Sequence, residues 1–222
     1  MKDLNQEIIK FNYGHNFKND DFFVSKSNEH IFKLLNNWPK WEKNLLNISG
    51  EKFSGKTHLI NLFLKRFKGI NIEARSLNNE IIDNIKIHQN IVLENLSDDI
   101  NEKLLFTLIN IIEQDNKYLI ITSVDPIVNI GFTLEDLKSR SKNFILQNID
   151  KPDDELIYAL ILKYLSDRQI SLDKKLIDYI IKRIGRSYSN IFEFIYKIDE
   201  ISLKKKKSID LKIIKDVLES HN

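Results

Sequence analysis

The passage Asn44-Leu45-Leu46-Asn47-Ile48-Ser49-Gly50-Glu51-Lys52-Phe53-Ser54-Gly55-Lys56-Thr57-His58-Leu59-Ile60 constrains this chain more than any other. A short apolar run breaks into a glycine, and from Gly50 to Thr57 the residues keep the spacing G-x-x-x-x-G-K-[ST] of a phosphate-binding loop. Such a loop needs a buried strand before it and a helix after it. Glycines let the backbone curl so that its N–H groups point at phosphate oxygens, and the helix adds its positive end. Both flanks are present: 44–49 suits a buried strand, and Leu59, Ile60, Leu62, Phe63, Leu64 and Phe67 give a strongly apolar helix over 57–67. Gly50, Ser54 and Gly55 are therefore candidates to wrap a phosphate. Lys56 would neutralise β/γ charge, and the Thr57 hydroxyl would ligate Mg²⁺.

The rest of the chain supplies a fold for this loop. Further strands are expected at 69–73, 90–94 and 118–122, with a short one at 143–146, and helical spacing appears over 27–37 and 100–114. Alternating strands and helices with apolar runs of four or five residues indicate a mostly parallel sheet covered on both faces. After Asp150-Lys151-Pro152 the pattern is helical throughout, at 153–167, 173–184, 189–203 and 210–219. The expected organisation is a polar arm over 1–20, an α/β nucleotide-binding domain over 21–150 and a small all-helical domain over 151–222.

Composition removes several classes of function. With 34 Lys+Arg against 32 Asp+Glu the net charge is +2, too balanced for a domain-wide footprint on nucleic acid, and sequence-specific DNA binding is not expected. The absence of cysteine excludes disulfides and Cys-ligated zinc, and the five histidines show no metal-ligand spacing. The first residues lack a secretory core, and no apolar run approaches the roughly 18 residues of a membrane helix, so no membrane association and a cytoplasmic location are expected.

A nucleotide-hydrolysing loop of this type also needs a carboxylate at the end of a neighbouring strand, and usually a second acid beside it to polarise the attacking water. In Ile91-Val92-Leu93-Glu94-Asn95 the first is Glu94, a candidate for the Mg²⁺ shell with Thr57, and the second is replaced by Asn95. Binding is compatible with that pair, whereas intrinsic hydrolysis is expected to be weak or absent. Thr122-Ser123-Val124-Asp125-Pro126 ends the next strand and places Ser123 near a γ-phosphate. Arg140, in Leu134-Glu135-Asp136-Leu137-Lys138-Ser139-Arg140, can point out of its own protomer towards a neighbour's nucleotide, an arrangement compatible with a homo-oligomer.

These pieces, in this order, resemble the AAA+ ATPases, and within them the DnaA/Hda family. Asp21-Phe22-Phe23-Val24-Ser25-Lys26-Ser27-Asn28 is similar to the family's adenine-lining F-V-x-G-x-x-N segment, which implies base contacts for Val24 and Asn28, with Ser25 where glycine is common. Lys56-Thr57-His58-Leu59 matches its G-K-T-H-L loop and brings His58 into the site, while Thr122-Ser123 resembles its first sensor strand. The segment ending in Arg140 is close to the family's arginine-finger box, which implies that role for it; Asn190 stands where the second sensor arginine is expected. Gln6-Glu7-Ile8-Ile9-Lys10-Phe11 is similar to the peptide by which Hda grips the replication sliding clamp, with Gln6, Ile9 and Phe11 as contacts and Glu7 as a departure. The resemblance implies an AAA+ base with a helical lid that binds ADP or ATP with Mg²⁺, with DnaA and the sliding clamp as partners. It further implies a regulator of replication initiation, the alternatives being a self-contained ATPase such as a helicase loader, or an ADP-holding scaffold.

Overall fold

A computed structural model describes residues 22–167, 172–205 and 209–219. Gln6, Ile9 and Phe11 lie outside the described residues. The chain opens with α1 (Glu29–Asn36), β1 (Leu45–Ser49), α2 (Lys56–Phe67), β2 (Ile70–Glu73) and α3 (Asn79–Asn84). It continues through β3 (Asn90–Leu96), α4 (Glu102–Gln114), β4 (Tyr118–Ser123), α5 (Glu135–Ser141) and β5 (Ile145–Asn148). The strands form one five-stranded sheet in the order β2-β3-β4-β1-β5, every neighbouring pair parallel.

Strand periodicity explains why both faces are covered. Successive side chains point to opposite sides of a strand, so a fully apolar run feeds two cores. Leu45, Ile91, Leu93, Leu119 and Ile121 pack with α4 residues such as Leu105 and Ile109. Their strand neighbours Leu46, Ile48, Val92 and Ile120 pack with Ile31 of α1 and with Leu59, Ile60 and Phe63 of α2. This arrangement brings the ends of β1, β3 and β4 to one edge of the sheet, where parallel α/β sheets bind their ligands.

The helical part follows as α6 (Asp154–Asp167), α7 (Lys174–Ile181), α8 (Tyr188–Lys205) and α9 (Leu211–Glu219). It has a core of its own, with Ile157, Ile161, Ile180, Phe194 and Ile214 fully or almost fully buried. Leu156 and Tyr188 instead join the core beneath β1 and α2, and so tie this lid to the base.

Two elements differ from the sequence expectation. The last strand begins at Ile145 and ends at Asn148, because Phe144 is a core residue ahead of the strand and the ladder with β1 runs from Leu46–Ile145 to Ser49–Asn148. α7 stops at Ile181, after which Ile184 turns back to donate its N–H to the Ile180 carbonyl at 2.8 Å and is itself buried.

Candidate functional site

The loop between β1 and α2 has the shape that its glycines allow. A Cβ on Gly50 would lie 3.0 Å from Ser54 Oγ and 3.1 Å from Ile149 Cβ. Gly55, with φ at +93°, caps α2 in a conformation that L side chains rarely adopt. Lys56 is buried and donates to two carbonyls of its own loop, Gly50 at 2.5 Å and Glu51 at 2.9 Å. Burial pushes its pKa down, against the opposing pull of the Glu51 and Glu94 carboxylates. The Ser54 hydroxyl is buried with no hydrogen-bond partner among the described residues. An orphaned hydroxyl and a buried ammonium held only by carbonyls fit a phosphate better than they fit each other.

The acidic side of the site lies on β3. Thr57 Oγ1 donates to Glu94 Oε2 at 2.6 Å, and the Asn71 amide of β2 donates to Glu94 Oε1 at 2.6 Å. The two residues expected at a metal are thus in contact, and Glu94 is 4% exposed. Asn95 behaves differently. The β3–β4 register shifts between Leu93 and Leu96, Asn95 takes φ +60°, and its N–H donates to Thr122 Oγ1 at 3.0 Å. Its amide donates to both Glu73 oxygens at 3.1 Å, so the side chain is turned to the end of β2. Among the described residues no cluster of three His, Cys, Asp or Glu could hold a metal ion unaided. A cation here would therefore be held by Thr57 and Glu94 together with phosphate oxygens.

Ser123 reaches this edge, but its hydroxyl is engaged: it donates to the Asp125 carbonyl at 2.6 Å and accepts from the Asn47 amide at 2.9 Å. Asn47, fully buried in β1, also donates to the Ile121 carbonyl and accepts from the Ile127 N–H at 2.9 Å. Sequence reasoning missed Asn47, Asn71 and Glu73. The available signal was a polar residue interrupting an apolar strand, which a buried position tolerates only when every polar atom is paired.

Beside the loop lies a cavity of about 690 Å³, a size that suits a small organic ligand. Phe22, Phe23 and Asn28 line one wall, Gly55 and His58 another, and α6 residues such as Leu156 the third. His58 sits edge-on to Phe22, with ring centroids 5.2 Å apart. Val24 is 36% exposed and is not among the lining residues. Asn28 lines the cavity, yet its carboxamide accepts from the Ser25 N–H at 2.9 Å and donates to the Phe23 carbonyl at 3.0 Å. It fixes the segment that carries the two phenylalanines. Tyr188 closes the lid side, donating to the Asp150 carbonyl at 3.1 Å; burial pushes its phenol up to about 12. Asn190 donates its N–H to Ser187 Oγ at 3.3 Å.

Arg140 stands apart from the loop, on α5. Its guanidinium pairs with Glu113 of α4 and lies over the Phe106 ring at 5.3 Å from the centroid. About a third of each charged side chain remains exposed, at 31% and 35%.

Known proteins share parts of this sequence and this fold. The lid-domain model of Hda matches residues 153–218. The chromosomal replication initiator protein DnaA of a Thermoanaerobacter species is 26% identical over 225 residues, covering 90% of this chain and 51% of that protein. Among solved structures, domain III of the Thermotoga maritima replication initiation protein DnaA superposes with a TM-score of 0.72 at 18% identity, over 90% of this chain and 94% of that one. These similarities support an Hda/DnaA-like AAA+ protein. AMPPCP-bound DnaA from Aquifex aeolicus shares the AAA+ fold as well, with a TM-score of 0.66 at 20% identity over 86% of this chain and 70% of that one. The AAA+ chain spans about half the length of the curated DnaA relatives that it matches. Among the described residues no helix is long and apolar enough to cross a membrane.

Proposed function

We propose that this protein is an Hda-like regulator of replication initiation. It holds an adenine nucleotide, ADP, and, docked on the sliding clamp through Gln6, Ile9 and Phe11, offers Arg140 to ATP bound by DnaA. The observation that carries this reading is a phosphate loop joined to an acidic strand without a second acid. Glu94 is locked to Thr57, while the neighbouring position is Asn95, an amide spent on Glu73. Such a site retains nucleotide without a group to activate water. In it, Lys56 and Ser54 would face the phosphates, Gly50 and Gly55 would let the backbone approach them, and the cavity beside His58 would take the base. Mg²⁺ at Thr57 and Glu94 would screen the phosphate charge.

An arginine supplied in trans stabilises charge on a transferring phosphoryl group and is worth roughly 10³ to 10⁵ in rate without its donor hydrolysing anything. Arg140 is suited to that exchange. It is partly exposed and already paired with one anion, so leaving Glu113 for a partner's phosphate trades one charge-assisted contact for another. Arg140→Ala should abolish clamp-dependent stimulation of DnaA's ATPase while clamp binding stays intact, and stimulation undiminished by that change would refute the mechanism. The intact Thr57–Glu94 pair favours a second reading, a self-contained AAA+ ATPase, which requires steady ATP turnover by the pure protein that disappears in Lys56→Ala.

A further inference from the structure

Arg140 is carried by a helix too short to hold it still. α5 has seven residues, and its N-cap residue, Leu134, makes no side-chain hydrogen bond to the helix start. A helix of that length has no stability of its own in water, so what it packs against sets its direction. Leu137 is its fully buried anchor, with Leu134 packed on the same core. One buried side chain fixes where such a helix lies and leaves it free to rock.

Two further ties come from α4, one at each end of α5. The Glu102 carboxylate accepts from the Thr133 N–H at 2.7 Å, from the Leu134 N–H at 2.7 Å and from the Thr133 hydroxyl at 3.1 Å. At the other end the Glu113 carboxylate pairs with Arg140 in the last turn of α5. Glu102 and Glu113 are three helical turns apart on α4 and so share one face of it. Phe106, one turn beyond Glu102 on that face, lies under the guanidinium. Among the described residues Nη1 is the guanidinium nitrogen that is engaged, which leaves Nη2 and Nε as donors for a further anion. An ion pair this exposed adds little stability. Its effect is on direction, because it closes a circuit from Glu102 through α5 and Arg140 back to α4.

We propose that Glu102 and Glu113 are positioning residues for Arg140: together they fix α5 on α4 and hold the guanidinium ordered, with two nitrogens ready for the phosphoryl oxygens of a partner's ATP. This rests on the reading of Arg140 as an arginine supplied in trans. Glu113 keeps Nη1 until a phosphoryl oxygen takes its place. A group ordered before the partner arrives loses less freedom in the transition state than one that must be ordered there.

The test titrates clamp-dependent stimulation of DnaA's ATPase with each variant. Glu113→Ala should lower the maximal stimulated rate about ten- to a hundredfold, the cost of a misplaced group, and shift the half-maximal concentration less than about twofold. Glu113→Gln, whose amide oxygen still accepts from Nη1, should recover most of that loss. Glu102→Ala should fall between the two. Because both glutamates act through one arginine, the double alanine variant should lose less than the product of the single losses. An undiminished maximal rate in Glu113→Ala, a Gln variant no better than the Ala one, or losses that simply follow the melting temperature would each overturn the positioning role. Ordering is also read in the free protein. Carbon-detected NMR of the Arg140 side chain should resolve two Nη signals, because pairing at Nη1 hinders rotation about Nε–Cζ, and Glu113→Ala should merge them. A merged signal in the parent overturns the proposal whatever the ATPase assay gives. If Arg140→Ala leaves stimulation intact while the parent's signals are split, the trans-arginine reading fails and the ordering by Glu113 does not.

Discussion

Lys56 shows how one buried charge can be a cost in one state and a requirement in another. Without phosphate it sits in a dehydrated loop, its pKa lowered by burial despite two nearby carboxylates, and its hydrogen bonds go to neutral carbonyls. Burying an ammonium without a contacting anion is unfavourable, and replacing such a group with an apolar one of similar volume is often neutral or stabilising. Lys56→Met should therefore leave the melting temperature of the nucleotide-free protein unchanged or raise it by a few degrees. The upward shift on adding ADP should vanish, where a ligand at about 100 times its Kd would otherwise add roughly 2.7 kcal/mol. Differential scanning fluorimetry of both proteins with and without ADP measures both halves. A nucleotide-free variant markedly less stable than the parent would mean that Lys56 holds the loop together rather than waiting for a ligand.

At the scale of elements, periodicity and punctuation made most of the fold legible. The apolar runs at β1, β3 and β4 and the helix after Gly55 were placed within a residue or two, because each is buried and each ends at a residue with a local reason to stop. The form of the loop was legible at Gly50 and Gly55, where the backbone leaves little room for a side chain, and Thr57 and Glu94, paired by the sequence pattern, are in contact. The site was not legible where a polar side chain serves the fold through a distant partner. Asn28 and Ser123 read as ligand contacts, yet their polar atoms are spent on the 23–25 segment and on Asn47 and Asp125 respectively. No local pattern announces such pairings, which depend on strand order and register. The join between α2 and β2 is a further case. Asn90 donates its amide to the Phe67 and Lys68 carbonyls at 3.0 and 2.9 Å, satisfying the end of the helix. That requires Gly69 to pass so close that an added Cβ would lie 2.4 Å from the Asn90 carbonyl oxygen. Because the obstacle is backbone in the sheet, Gly69→Ala should cost about 1–3 kcal/mol, the range of an overpacked core position. Urea unfolding would read that as a lower midpoint at unchanged slope, and a loss below a few tenths of a kcal/mol would show that the join yields freely.

For the whole molecule, base and lid are separate cores joined by few contacts, so a single carboxylate can weigh on how they move together. Burial acts to raise the Glu51 pKa, but the hydrogen bonds from Ser187, Ser189 and Tyr188 outweigh it and hold the carboxyl below its usual range. The groups facing it are the Lys56 ammonium across the loop and the Tyr188 phenol, which also feels Asp150 and Asp153. Since the folded-state pKa is depressed, the contribution is complete above the unfolded value of about 4.3 and is lost as pH falls through the folded value. Its size is about 1 kcal/mol or less, because solvent screens a carboxylate this accessible. Acid should thus loosen the lid before it unfolds the base. Hydrogen exchange followed from pH 6 down to pH 3, corrected for intrinsic rates, should show Tyr188 and Ser189 losing protection below about pH 4 while the β1 and β4 amides keep theirs. In Glu51→Gln the same two amides should be less protected at pH 6 and show no further acid step. An acid step that persists in that variant would assign the pH dependence to another carboxylate and leave Glu51 a static cap on α8.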